Sequence, residues 1–477
     1  MRWMDARWDA AGLLTSAPED TYSDHQSDLT VHVVRESSQY ALGLLMRGQP
    51  DDVERACRAL AAVLTWQFDE PEQPYHGTWR RAPEESHPPA NAVVWRDYDP
   101  NWREFIGTVL AIVLLEYEPL LPRDLVAPID NALRKAIAGT LARELPATYT
   151  NIALMQAFLL QFGADRFHEP AWSTRAEQRA EEIYQLFAIH NAFWEYNSPT
   201  YYGVDLYALA LWRSYSTSPV LRERGMAMEA ALWRDIAQFY HADLRNVAGP
   251  YDRSYGMDMR RYVACLGIWI YLAVGREQAP LPDLAQPFAH AWDICMVPNY
   301  AILGVRIPDD VLPHFRAFQG ERLVEHIISD EPRRVATAWL GRKVMLGGED
   351  VGGRRHPSGQ FHPATIHWLQ PDGTVGWVRL MYTTPVDAQA QPNMLTITCA
   401  DQEAATDDTI FQIAATSLTP DAIQPNQWLL PDLTVHVETN AQAPQITQNK
   451  IGLELRYCAQ NHNRNTPIRF TLRTEPM

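Results

Sequence analysis

The sequence predicts an α+β chain in two parts: an N-terminal (α/α) toroid over residues 1–320 and an antiparallel β-sandwich-like domain over 321–477. Two observations predict it. Before residues 315–330, long segments carry apolar residues every three or four positions, separated by short polar or proline-containing breaks. After that point the runs shorten, alternate and fill with β-branched residues. Helices first and strands afterwards exclude the repeated alternation of a βαβ fold.

The apolar periods place helices over 30–45, 51–66, 102–116, 124–143, 150–162, 172–190, 204–215, 221–240, 259–274 and 282–294. Leu154, Phe158 and Leu159 share one face, as do Leu206, Leu209 and Trp212. Pro119, Pro146, Pro170 and Pro219 fall in the breaks, where a missing N–H is tolerated. No fixed-period repeat motif marks a regular solenoid. The polar and aromatic clusters lie in the breaks, which a toroid of helical hairpins gathers at one rim. Strands are expected over 335–340, 364–369, 375–382, 394–399, 433–439 and 451–457, with a turn at Pro371-Asp-Gly-Thr.

Composition narrows the function. The 477 residues carry 58 acidic against 41 basic side chains, a formal charge of −17. That argues against broad binding to nucleic acid or to an anionic membrane. Only Lys135, Lys343 and Lys450 are lysines; the other 38 basic residues are arginine, and no lysine sits in a phosphate-loop pattern. Cys57, Cys265, Cys295, Cys399 and Cys458 are widely spaced and form no CxxC, so neither a zinc site nor a disulfide framework is expected. No metal and no cofactor is expected. The opening MRWMDARWDA has no apolar run of the kind a signal peptide carries. The most apolar stretch, 106–115, is half of the about 20 residues that a membrane helix needs. A soluble, cytoplasmic protein is the expectation.

Residues 194–207 form the densest local feature. Asn197-Ser-Pro is a turn signal, and Pro199 suits the first turn of the next helix, which leaves Tyr201 and Tyr202 near a helix N-terminus beside Trp194 and Glu195. Such a tyrosine can give or take a proton, although packing between helices explains the rings equally well. Residues 249–262 place Asp252, Arg253, Tyr255, Asp258, Arg260 and Arg261 just before an apolar run. These arginines suit bidentate binding of a carboxylate, or ion pairs with Asp252 and Asp258. His25 with Asp24 and Asp28 is a metal half-site at most. Trp79, Trp95 and Trp102 lie among polar residues and offer faces for sugar rings or plain core packing. Asn151 opens a helix as a cap or as an amide donor in a cleft. The glycine-rich stretch 347–363 carries Arg354, Arg355, His356 and His362 without a nucleotide-loop ending, and it can reach the helical domain or simply turn.

A helical domain followed by a β domain resembles the polysaccharide lyases built on an (α/α) toroid, especially the heparinase II/III-like and alginate-lyase-like groups. Those groups carry an Asn-His pair at a helix start and, one hairpin later, a segment like Glu-x-Ser-Pro-x-Tyr-His. Asn151 falls on the first motif, with Ile152 where the His stands. Glu195, Ser198, Pro199 and Tyr201 fall on the second, with one extra residue after Glu195 and Tyr202 in place of the His. The resemblance implies β-elimination next to a uronate in an oligosaccharide or polysaccharide. Asn151 would neutralise charge, Tyr201 would serve as base or acid with Tyr255 as a second phenol, and Arg253 or Arg260 would meet the carboxylate. His190 or His356 would supply the missing base. Trp194, Glu195, Asn197 and Tyr202 would complete substrate binding. Three other readings stand beside it: a glycoside hydrolase using two of Glu195, Asp205, Asp252 and Asp258, a non-enzymatic carbohydrate binder, and a scaffold or biosynthetic protein unrelated to sugars.

Overall fold

The computed structural model describes residues 1–17, 30–286, 288–351, 359–381, 385–399, 408–458 and 467–476. Twelve α-helices lie among them: α1 (Arg2–Asp5), α2 (Val34–Arg47), α3 (Asp52–Leu64), α4 (Trp102–Tyr117), α5 (Arg123–Ala142), α6 (Thr150–Phe167), α7 (Pro170–His190), α8 (Tyr201–Tyr215), α9 (Pro219–Phe239), α10 (Cys265–Val274), α11 (Val297–Leu303) and α12 (Leu312–Arg316).

The hairpins α2–α3, α4–α5, α6–α7 and α8–α9 arrange themselves in two layers, and the sequence says which helix goes where. In α6 every residue from Thr150 to Ala164 is buried, whereas α7 buries only Ala176, Arg179, Ala180, Ile183 and Phe187. A helix apolar all round must sit inside, and one with a single stripe must face water. The inner helices touch in the order α2, α4, α6, α8, α10 and α11, and α11 packs back on α2. The ring closes, giving a toroid of hairpins with its core along the inner helices. Pro170 and Pro219 start α7 and α9, where Ser218 caps α9 by accepting the Leu221 N–H.

The helix expected over 282–294 does not form. A 3₁₀ turn, Ala291–Met296, leads directly into α11 instead. Pro282 and Pro287 remove two N–H groups from that stretch, and His290 adopts a left-handed φ of 51°. The helix expected from residue 259 starts at Cys265, after Asp258 closes a turn by accepting the Arg260 N–H.

From Arg322 the described chain is almost wholly β. Its fourteen-stranded antiparallel sheet folds over itself as two faces joined at one corner by the single pair Asp387–Asp350. Trp368, Val378, Ile397, Phe411, Trp428 and Phe470 fill the space between the faces. Strands Arg333–Leu340 and Val344–Asp350 are buried almost throughout. Ala336, Ala338, Leu340 and Met345 join the core of the helical region, while Trp339, Val344 and Leu346 join the core of the sheet. These two strands weld the parts together. No helix among the described residues is long and apolar enough to cross a membrane.

Candidate active site

All inner helices start at the same rim, because each hairpin carries the chain away on the inner helix and back on the outer one. Arg35 and Gln39 of α2, Asn101 before α4, Asn151 of α6, Tyr201 and Val204 of α8, and Cys265 of α10 line one cavity of about 670 Å³. The positive ends of these helix dipoles, roughly half a charge each, therefore converge on it. Arg35, Arg81 and Arg253 line it as well, against the carboxylates of Asp99 and Asp293. The cavity favours an anionic group despite the acidic chain.

The loop carrying Arg253 lies on the sheet. Tyr251 and His362 exchange backbone hydrogen bonds at 3.1 and 2.9 Å, and the Ser254 N–H donates to the Gln360 carbonyl. A Cβ on Gly347 would stand 2.1 Å from the Gly249 backbone, so only glycine lets strand and loop meet this closely. Asn197, with a left-handed φ of 48°, donates to the carbonyls of Ala248 and Pro250 and ties the 194–200 turn to the same loop.

Two stretches distant in sequence thereby meet. Arg253 donates to Glu195 Oε1 at 2.6 Å, to the Tyr201 hydroxyl at 2.5 Å and to Gln360 Oε1 at 3.1 Å. Its guanidinium also stands 3.9 Å from the centre of the Tyr201 ring. The Tyr201 and Tyr255 hydroxyls share a hydrogen bond of 2.5 Å. Asn151 donates to Glu195 Oε2 at 2.9 Å. His290 stacks on the Tyr255 ring with centroids 4.1 Å apart.

Burial pushes the Tyr201 phenol well above its ordinary range; Tyr255 adds to the rise and the Arg253 charge opposes it. A phenol so placed keeps its proton at neutral pH and can donate it. Burial also raises the Glu195 carboxyl, against the pull of Arg253 and of Asn151. Tyr149, which accepts from Asn101 Nδ2, is pushed up to about 12 by burial. Arg253 has five guanidinium N–H groups and uses three on partners among the described residues, which leaves N–H groups for a carboxylate.

Of the residues singled out in the sequence, Asn151, Glu195, Tyr201, Arg253 and Tyr255 come together here. The others do not. Tyr202 is buried against Phe193 and Tyr196, one position round the helix from Tyr201 and pointing into the core. Asn197 spends its amide on the loop carbonyls. Arg260 turns away to the Gly373 carbonyl and Asp258. His190 ends α7 and pairs with Asp330 at 2.9 Å, lining with Trp194 a separate pocket of about 240 Å³. His356, Arg354, Arg355 and the His25 cluster lie outside the described residues. Among the described residues, no group of three His, Cys, Asp or Glu side chains is placed to hold a metal. His290, Arg35, Arg81 and Trp292 escaped the sequence reading. His290 and Trp292 reach the cavity where the ring closes, Arg81 from the loop before α4 and Arg35 from the first turn of α2, and the short Phe-Ala-His-Ala-Trp-Asp run, 288–293, is the local signal for the first two.

A family model described as "Domain of unknown function (DUF8769)" matches residues 1–305, and one described as "Domain of unknown function (DUF8770)" matches 321–467. The sequence matches none of the curated proteins. Among solved structures, heparinase III is similar over 93% of this chain and 76% of its own, at 9% identity and a TM-score of 0.41. The Streptomyces coelicolor A3 chondroitin AC lyase, in complex with chondroitin sulphate, covers 93% of this chain and 73% of its own at 10% identity and a TM-score of 0.41. Endoglucanase CelQ from Clostridium thermocellum, complexed with cellobiose and cellotriose, covers 97% and 85% at 8% identity and 0.24. Likeness this loose carries neither substrate nor reaction to this chain.

Proposed function

This chain belongs to the DUF8769 family, and we propose that its toroid cavity is the active site of a carbohydrate-active enzyme, a lyase that cleaves an oligosaccharide next to a uronate by β-elimination. The observation that carries this reading is the Tyr201 hydroxyl, held 2.5 Å from both the Arg253 guanidinium and the Tyr255 hydroxyl in a cavity fed by helix N-termini.

The substrate carboxylate meets the remaining N–H groups of Arg253, beside Asn151, where the charge of an enediolate-like anion develops. His290 takes the proton α to that carboxylate. The electron pair forms the new carbon–carbon double bond, and the bond from the neighbouring carbon to the glycosidic oxygen breaks. Tyr201, kept protonated by burial, gives its proton to that leaving oxygen. Tyr255 then returns a proton to Tyr201 along their shared hydrogen bond. The products are an unsaturated uronate and a saccharide with a new reducing end; His290 releases its proton to water and Tyr255 regains one from water, so the cycle closes with no net change in protons.

The four carboxylates that the sequence offered a hydrolase are otherwise engaged. Asp252 is locked to Arg334, Asp258 pairs with Arg260, Glu195 is bonded to Asn151 and Arg253, and Asp205 is buried in α8. A panel of uronate-containing oligosaccharides, followed by the ultraviolet absorbance of the unsaturated product, tests the reading. Absorbance gain that disappears in Tyr201→Phe supports it. New reducing ends without that absorbance would overturn it in favour of hydrolysis.

A further inference from the structure

Trp95 is an anomaly that the chemistry above does not use. It is 49% exposed although it lines the cavity, and its neighbours Val93 and Val94 are exposed as well. Its φ is +70°, a left-handed conformation that a bulky side chain seldom adopts. Yet the segment is tightly held. The Trp95 N–H donates to the Tyr98 carbonyl at 2.9 Å, and Arg81, itself buried, donates to the carbonyls of Trp95 and Arg96 at 3.1 and 3.0 Å. The Val93 N–H donates to Asp97 at 2.7 Å. Behind the ring, the Arg143 guanidinium stands 5.9 Å from the Trp95 centroid and 5.8 Å from that of Tyr149, anchored on Asn101 at 2.7 Å.

An indole fixed in an unfavourable backbone conformation and left uncovered has lost the burial that would stabilise it. Among the described residues nothing covers its outer face, which leaves that face to a bound partner. The cavity it shares is lined by arginine, aspartate, asparagine and glutamine side chains, so the partner needs one apolar face and a polar edge. A pyranose ring has both: its axial C–H groups stack on an indole, and its hydroxyls reach polar neighbours.

We propose that Trp95, backed by Arg143 and held by Arg81, is a stacking subsite for a sugar ring one or more units away from the bond that is cleaved. The proposal rests on the cavity being a saccharide site, and it makes Trp95 a determinant of substrate length. Binding energy gathered there would lower KM for longer chains without touching the reacting atoms.

The test uses the full chain labelled with 5-fluorotryptophan, the Trp95 and Trp292 fluorine resonances being assigned from Trp95→Phe and Trp292→Phe. Uronate oligosaccharides of two to six rings are titrated in. Saturable movement of the Trp95 resonance with the longer chains only, together with an about tenfold weaker Kd for Trp95→Ala on a hexasaccharide and an unchanged Kd on a disaccharide, supports the subsite. Movement of Trp292 with Trp95 unmoved overturns it and leaves the saccharide cavity standing. Movement of Trp95 without any unsaturated product supports the subsite and overturns the lyase reading. If neither resonance moves with any saccharide, both are overturned.

Discussion

Arg334 reaches from the sheet to Asp252, its guanidinium 2.6 Å from Oδ1 with neither side chain exposed by more than 2%. The same group binds Glu349 at 2.8 Å and the Trp194 carbonyl at 3.2 Å, and Asp252 in turn accepts from the Tyr196 N–H. Arg334 thus grips the residues on either side of Glu195 and the one before Arg253. The β region sets the register of the two stretches that build the site.

Removing one partner of a buried ion pair leaves an uncompensated charge, at a cost of about 3–5 kcal/mol. Arg334→Met should therefore lower the urea midpoint strongly and lower kcat even where the protein remains folded. Adding Glu349→Gln and Asp252→Asn to it should recover part of the stability without recovering kcat, because the charges are gone but the grip is too. Chemical denaturation and initial rates on one preparation separate the two effects. Full recovery of kcat in the triple variant would show that Arg334 only neutralises charge.

Tyr201 and Tyr255 differ in what they can lose. Tyr201 touches Arg253 and Tyr255 at once, whereas Tyr255 bonds Tyr201 and stacks on His290. Loss of a general acid costs about 10²–10⁴ in rate. Tyr201→Phe should fall in that range in kcat with KM little changed, and Tyr255→Phe should lose only about tenfold, the worth of one hydrogen bond. Steady-state kinetics on a single oligosaccharide decide it. Equal losses in the two variants would make the phenols interchangeable and remove the assignment of Tyr201 as the donor.

The sequence made the layers and half the site legible for one reason: both depend on local pattern. Every-third-or-fourth apolar spacing gave the helices, and alternation gave strands such as Ala364–Leu369 and Met394–Cys399, which form where expected. The polar-aromatic stretches at 194–207 and 249–262 stood out because helix breaks rarely hold so much aromatic and guanidinium surface. Their convergence through Arg253 follows from inner helices that all start at one rim. Direction was not legible. Glu195 and Tyr201 face the site while Trp194, Asn197 and Tyr202 in the same turn do not, because irregular backbone has no period to say which way a side chain points. His290 and Arg81 were missed for a different reason: they arrive by ring closure and by a loop held from afar, and no local period records either. The strand Val344–Asp350 is buried on both faces and carries Gly347 and Gly348 in its middle, so its second half falls in the stretch 347–363 that reads as a glycine-rich loop.

Glu104 adds a pH dependence to the helical ring. It is fully buried in α4 and accepts from the Thr140 hydroxyl, and burial raises its carboxyl to about 7 against that bond and the charges of Arg103 and Arg143. The folded state holds a proton that the unfolded chain releases at an ordinary glutamate value. The contribution of Glu104 to stability is therefore greatest in acid and declines as pH rises from about 4.5 to 7, by roughly 3 kcal/mol at most. Glu104→Gln should flatten that decline and raise the urea midpoint at pH 8 relative to the parent protein. A midpoint gap between the two proteins that stays constant from pH 5 to pH 8 would mean that Glu104 titrates as an exposed side chain does.

His362 and His367 act in the opposite sense and at the seam that holds Arg253. Burial holds them at about 3 and about 4, with Arg379 also pushing His362 down. The unfolded chain binds protons on both below about pH 6.5 while the folded chain refuses them. Their contribution is complete above that value and is lost as pH falls toward 4, by about 2 kcal/mol for each between pH 7 and pH 5. The backbone of His362 pairs with Tyr251, and the ring of His367 lies edge-on to it with centroids 6.0 Å apart. Acid should therefore loosen the 250–255 loop ahead of the inner ring. Hydrogen exchange at pH 5 should show the Tyr251 and Ser254 amides losing protection before those of α6. In His362→Gln/His367→Gln the drop in urea midpoint between pH 7 and pH 5 should shrink. If the double variant loses as much stability over that interval as the parent, the two imidazoles are already protonated in the folded state and the seam is not the acid-sensitive part.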